Sequence, residues 1–145
     1  MRKYKVGYTT GVYDLFHIGH LNILRRAKEQ CEYLIVGVST DELVETYKHK
    51  TPIIPFEERK AIVEAIRYVD RVVPQISMDK VDAWRKLHFD VIFHGDDWKG
   101  SNLYNDIEKT LHDVGCDMVF LKHTDGTSST LLAQKLHEME ENRTK

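Results

Sequence analysis

Cysteine is scarce in this chain, and the two that occur, Cys31 and Cys116, form no Cys-x-x-Cys pair and match no zinc-ligand spacing. That argues against a disulfide framework and a structural zinc site, and leads us to expect reduced thiols in a cytoplasmic protein. Long apolar runs are also missing. The run after Met1-Arg-Lys-Tyr-Lys5 is too brief for a signal peptide, and no stretch reaches the length of a membrane span. Nor is there an excess of either charge: 21 basic against 23 acidic residues leave a formal charge of −2, which gives no net attraction to nucleic acid or to an anionic membrane. What remains, 41% hydrophobic and 30% charged residues over 145 positions, is the composition of one soluble domain, residues 1–145, long enough to bury one core.

The hydrophobic pattern alternates strands with helices. Tyr4 to Thr9 reads as a buried strand, Gly19 to Gln30 as a helix, and Tyr33 to Val38 as a second, wholly apolar strand, which together make a βαβ unit. Ser39-Thr-Asp-Glu42 supplies capping residues for a short helix, Asp41 to Tyr47. Tyr47 to Pro55 holds two of the three prolines and clustered positive charge, and is expected as a loop. Beyond it come a helix from Phe56 to Tyr68, a strand from Arg71 to Pro74, a helix from Asp79 to His88 and a strand from Asp90 to His94. A helix from Leu103 to Val114, a strand from Asp117 to Leu121 and a last helix from Leu131 to Glu140 complete the alternation. This order predicts a Rossmann-like, doubly wound α/β fold with a five-stranded parallel sheet in the order 3-2-1-4-5, and a site at the carboxyl ends of its strands.

The first such carboxyl end carries Thr10-Gly-Val-Tyr-Asp-Leu-Phe-His-Ile-Gly-His20. His17 and His20, three apart, fall on one side of a first helical turn, and Gly19 removes the side chain that would hold a ligand away. The helix start adds unpaired N–H groups and the positive end of a dipole, so phosphate is the fitting ligand. The competing reading makes one histidine a helix cap and the other a core residue. Further along, Lys48 and Lys50 lie on the proline-bearing loop, and such loops often close over phosphates. Arg59 and Arg67, eight residues apart, lie near one another's azimuth on a helix, and a guanidinium can give two parallel bonds to a phosphate. Gly95-Asp-Asp-Trp98 places an acidic group and an aromatic ring at another strand end, suited to a base's exocyclic amine and its face. Finally Lys122-His-Thr-Asp-Gly-Thr-Ser-Ser-Thr130 sets a glycine and hydroxyls before the last helix, a second phosphate receptor.

These blocks, with Val38-Ser-Thr-Asp-Glu-Leu43, resemble in order the His-x-Gly-His nucleotidyltransferases, and in wording the cytidylyltransferases that activate glycerol 3-phosphate, phosphocholine or phosphoethanolamine. The resemblance implies a transfer from CTP, with Mg²⁺ carried by the nucleotide, to a phosphorylated alcohol, foremost glycerol 3-phosphate. It implies His17, His20, Lys50 and Arg59 in catalysis, and Gly11, Val12, Tyr13, Gly19, Arg67, Asp97, Trp98, His123, Thr124, Gly126, Ser128, Ser129 and Thr130 against the nucleotide. Asp14 and Lys48 would meet the acceptor, no protein metal cage is expected, and a homodimer is. The ending at Lys145 lacks the amphipathic membrane helix that follows the catalytic domain in some phosphocholine relatives. One departure stands out: His123 occupies the place of the arginine usual in the family, which leaves one permanent charge fewer for the triphosphate. Three alternatives stay open: a cytidylyltransferase for phosphocholine, phosphoethanolamine or a sugar-alcohol phosphate; an adenylyltransferase, whose relatives share a Pro-Ile-x-Pro loop like Pro52 to Pro55; and a nucleotide-binding regulatory protein without turnover.

Overall fold

In a computed structural model of the chain, residues 3–95, 101–122 and 129–143 are described. Five parallel strands, β1 (Tyr4–Gly11), β2 (Cys31–Ser39), β3 (Arg71–Gln75), β4 (Val91–Gly95) and β5 (Asp117–Leu121), form one sheet in the order β3-β2-β1-β4-β5, as the alternation predicts. Between them run α1 (Ile18–Gln30), α2 (Asp41–Lys48), α3 (Phe56–Glu64), α4 (Lys80–Leu87) and α5 (Asn102–Asp113), and α6 (Ser129–Arg143) follows β5.

Alternation along the strands explains both layers. Leu34, Val36 and Val38 of β2 and Val91 and Phe93 of β4 join Leu24 and Ala27 of α1 and Val63 of α3 in one core. Ile35 and Ile92, one step out of phase, join Tyr8, Phe89, Tyr104, Leu111 and Met118 in the other. Each fully buried side chain of this size contributes roughly 1.5–3 kcal/mol, which is why a sheet covered on both faces reads as near-continuous apolar runs. Side-chain oxygens start the helices: Thr40 accepts from the Leu43 N–H, Asp79 from that of Asp82 and Ser101 from that of Tyr104.

Strand order reverses at β1, whose neighbours are β2 and β4, so the carboxyl ends of β1 and β4 part around a crevice. One predicted element is shorter than expected. The α3 helix stops at Glu64, and the chain continues to Tyr68 as turns, with the Ile66 N–H donating to Val63 O and the Val69 N–H to Ile66 O. These turns deliver Asp70, whose Oδ2 accepts from the Leu34 N–H at 2.8 Å and pairs with Lys28. The strands β1 and β2 are longer than predicted, and α1 begins at Ile18, outside His17.

Candidate functional site

The turn from β1 into α1 is backbone under strain. Tyr13 and Leu15 both take positive φ, 56° and 50°, a region that costs a side-chain-bearing residue of order 1–3 kcal/mol unless the surroundings hold it. Burial of Tyr13 provides that hold. Gly11 is needed beside it, because a Cβ there would stand 3.0 Å from the Tyr13 ring.

His17 is the N-cap of α1. Its Nδ1 accepts from the Gly19 N–H at 3.0 Å, while the His17 N–H donates to Nδ1 of His20 at 3.2 Å, a reciprocal box built from two imidazoles. The rings stack with centroids 4.0 Å apart. A nitrogen that accepts a backbone N–H carries no proton, so in each neutral ring the proton sits on Nε2, which becomes a donor. Burial, then the neighbouring His17, lowers the pKa of His20 to about 4, and burial lowers that of His17 too, so both rings stay neutral near pH 7. Nε2 of His17 is buried with no hydrogen-bond partner, a donor left to a ligand. Capping, which the sequence reading set against ligand binding, occupies Nδ1 alone and leaves Nε2 of the same ring unpaired.

Both histidines line a cleft of about 450 Å³, together with Gly11, Val12, Tyr13 and Gly19. Its roof is Lys48 at the end of α2 and the proline-bearing loop that follows, which contributes Lys50, Thr51, Pro52 and Ile53. Asp14 fastens that roof, its two carboxylate oxygens accepting from the Ile53 and Ile54 N–H groups at 2.8 Å each, and it lines the cleft as well.

Neither of the two arginines expected at the site is among the residues that line the cleft. Arg59 is wholly buried and turned away from the cleft: Nε donates to Ile54 O at 2.8 Å, Nη1 to Val12 O and Ser39 O at 2.7 Å each, and Nη2 to Asp41 Oδ1 at 2.6 Å. It locks the turn, the end of β2, the start of α2 and the roof together, and its planar fork is what allows four bonds in fixed directions. Arg67, carried past the end of α3, is exposed and does not line the cleft. Its expected alignment with Arg59 assumed a helix running to Tyr68, whereas α3 ends at Glu64.

Asp97, Trp98, His123, Thr124, Gly126 and Ser128 lie outside the described residues. Ser129 and Thr130 open α6 with their backbone, and Ala133, one turn on, lines the cleft.

Three residues were passed over in the sequence. Thr10, the neighbour of Gly11, lines the cleft, and its Oγ1 lies 3.4 Å from Nζ of Lys80, the first residue of α4. Lys80 is 4% exposed, and burial brings its pKa down to about 8. His94, near the end of β4, is 9% exposed and lines the cleft, and its Nε2 also lacks a hydrogen-bond partner. Signals existed for two of them: a lysine opens a helix against its dipole, and a histidine closes an otherwise apolar strand. Among the described residues, no group of three or more His, Cys, Asp or Glu stands together as a metal site.

With this geometry in place, comparisons with known proteins are informative. A family model described as "Cytidylyltransferase-like" matches residues 8–135. The chain is 42% identical over 130 residues to a "Glycerol-3-phosphate cytidylyltransferase" of Staphylococcus aureus (strain NCTC 8325 / PS 47), covering 89% of this chain and 92% of that protein. It is 35% identical over 139 residues to an "Ethanolamine-phosphate cytidylyltransferase" of Dictyostelium discoideum, covering 91% of this chain and 38% of that protein. The fold is similar, with a TM-score of 0.73 at 24% identity, to the crystal structure of a lipopolysaccharide core biosynthesis protein from Thermoplasma volcanium GSS1, over 84% of this chain and 99% of that one.

Proposed function

Because the chain belongs to the cytidylyltransferase-like family, we propose that it transfers a cytidylyl group from CTP to glycerol 3-phosphate, giving CDP-glycerol and pyrophosphate. The observation that carries this reading is the pair of stacked imidazoles, His17 and His20, whose Nδ1 atoms are occupied by backbone N–H groups and whose Nε2 donors remain. An oxygen of the acceptor's phosphate attacks the α-phosphorus of CTP. The new oxygen–phosphorus bond forms as the bond from the α-phosphorus to the α–β bridging oxygen breaks, and that electron pair leaves with pyrophosphate. The attacking oxygen is already anionic, so no proton has to be removed, and alignment and charge neutralisation supply the catalysis. Neutral Nε2–H groups suit that task, because they stabilise charge growing on the non-bridging and leaving oxygens without titrating near neutrality.

The opposite wall suits the second substrate. Lys80, with Thr10, sits on the α4 side of the sheet, whereas the histidines begin α1. We assign its ammonium to the acceptor's phosphate, which offsets the cost of burying the charge. Lys48 and Lys50 on the roof would meet phosphates of both substrates. Arg59 becomes a positioning residue, while Asp97 and Trp98 are assigned to the cytosine and 123–130 to the triphosphate. Mg²⁺ belongs to the substrate, arriving with CTP. The same reading places the protein in the cytoplasm, where the buried thiols of Cys31 and Cys116 would stay reduced. It also makes the protein a homodimer, for which exposed Ile62, Ile76 and Met78 offer apolar area near the β3 edge. Pyrophosphate release measured with CTP and ATP in parallel, against glycerol 3-phosphate, phosphoethanolamine and phosphocholine, tests the assignment. Turnover confined to CTP with glycerol 3-phosphate supports it, and equal use of ATP or a preference for an amine ester overturns it.

A further inference from the structure

His94 has no task in the scheme so far, yet its position is unusual. Side chains alternate along β1 and β4, and the pairing of Tyr8 with Ile92 and of Thr9 with Phe93 puts Thr10 and His94 side by side on the α4 face. Lys80 reaches the same place, close enough for its charge to act, after burial, in pushing the pKa of His94 down to about 3. The ring stands edge-on to Tyr104, with centroids 5.1 Å apart and planes at 89°, which fixes its orientation. What results is a neutral imidazole, nine-tenths buried, with an unpartnered Nε2 in the cleft wall beside the lysine assigned to the acceptor's phosphate.

From that juxtaposition we infer that His94 is a specificity residue of the acceptor half of the cleft, its Nε2 bonding a free hydroxyl on the carbon chain of the phosphorylated alcohol. A hydroxyl can both give and accept a hydrogen bond, so it satisfies the imidazole in either tautomer. A quaternary ammonium carries no N–H for it, and a protonated amine would be brought next to the Lys80 ammonium. An ester with a bare alkyl chain leaves Nε2 buried and unpaired, and sites built to bond a hydroxyl reject such analogues strongly. The site therefore selects phosphorylated polyols. This inference rests on the proposed cytidylyl transfer and deepens it.

The test compares kcat/KM for glycerol 3-phosphate and for n-propyl phosphate, at saturating CTP, in wild type, His94→Met and His94→Gln. Wild type should favour glycerol 3-phosphate by about 10²-fold or more. In His94→Met that ratio should fall to within about 10-fold of unity, through a raised KM for glycerol 3-phosphate, while the KM for CTP stays within about 2-fold of wild type. His94→Gln, which retains a donor and an acceptor, should recover part of the ratio. An unchanged ratio in both variants overturns the assignment, as does a rise in the KM for CTP as large as that for the acceptor, which would put His94 against the nucleotide. Should neither variant fold, the imidazole ¹⁵N shifts of wild type decide, since Nε2 should respond to glycerol 3-phosphate and not to n-propyl phosphate. A wild type that prefers phosphoethanolamine refutes the choice of acceptor and the hydroxyl together. A wild type that uses glycerol 3-phosphate with an unaltered ratio in the variants refutes the hydroxyl alone.

Discussion

His17 and His20 each commit one ring nitrogen to the helix they begin, and that commitment aims the other. Cap and chemistry can be separated by choice of substitution. His17→Asn keeps a capping oxygen but removes Nε2, so kcat should drop about 10²-fold, or roughly 2.7 kcal/mol of transition-state stabilisation, with the melting temperature held. His17→Ala should lose the same activity and also about 1 kcal/mol of stability with the cap. Wild-type turnover in His17→Asn would remove the residue from the chemistry. Lys80 carries a second prediction, set by its pKa of about 8. As pH rises through that value the ammonium loses its proton, so the KM for the acceptor should climb from pH 7.5 to 9.5 more steeply than the KM for CTP. Lys80→Arg, charged throughout, should flatten the climb, and an identical profile in both proteins would place Lys80 outside the acceptor site. Of the residue-level picture, the histidine pair, Gly11 and Gly19 could be read because their spacing is local. Lys80 and His94 carried only weak local signals, because what marks them is burial beside partners set by the fold, as with Lys80 and Thr10, 70 positions apart.

At the scale of elements, the cleft is a strand-to-helix turn closed by a loop, and Asp14 and Arg59 set how they meet. Asp14→Ala removes both bonds to the roof, so it should raise the KM for both substrates and lower kcat together, as loosening a loop that orders phosphates does. A change confined to one substrate would assign Asp14 to that substrate instead. Arg59→Met leaves Asp41 and three carbonyls without their donor, and should cost on the order of 3 kcal/mol or more in denaturant unfolding. Stability near that of wild type would contradict the locking role. Sequence patterning located every one of these elements because strands with two buried faces and capped amphipathic helices announce themselves. It misjudged the end of α3, since Ile66 and Val69 continue an apolar rhythm that the chain uses for turns instead. With the helix ended at Glu64, Arg67 falls in the turns that follow and is not among the residues lining the cleft.

For the whole molecule, the doubly wound sheet brings groups from its two faces to the switch between β1 and β4: α1 and its histidines on one side, Lys80, Thr10 and His94 on the other, and the proposed reaction gives one face to each reactant. The order 3-2-1-4-5 was legible from alternation and motif order together, whereas the division of the cleft between two faces depends on register, which no spacing reveals. Holding imidazoles neutral has a global consequence. The pKa values of His20 and His94 are depressed from 6.5 to about 4 and about 3, so protonation favours the unfolded chain, and the stability they contribute is present above pH 6.5 and lost as pH falls through those values. Denaturant midpoints should therefore decline between about pH 6.5 and 4, less so in His94→Met, and a variant with an unaltered slope would show that His94 is not buried neutral. The central claim, direct attack by the acceptor's own phosphate on CTP, is tested most directly by ³¹P NMR of the reaction with glycerol 3-phosphate labelled with ¹⁸O in its phosphate. The account predicts CDP-glycerol and pyrophosphate in equal amounts, with the label in the diphosphate bridge and none in pyrophosphate; label absent from the bridge, or CTP left intact beside the acceptor, would contradict it.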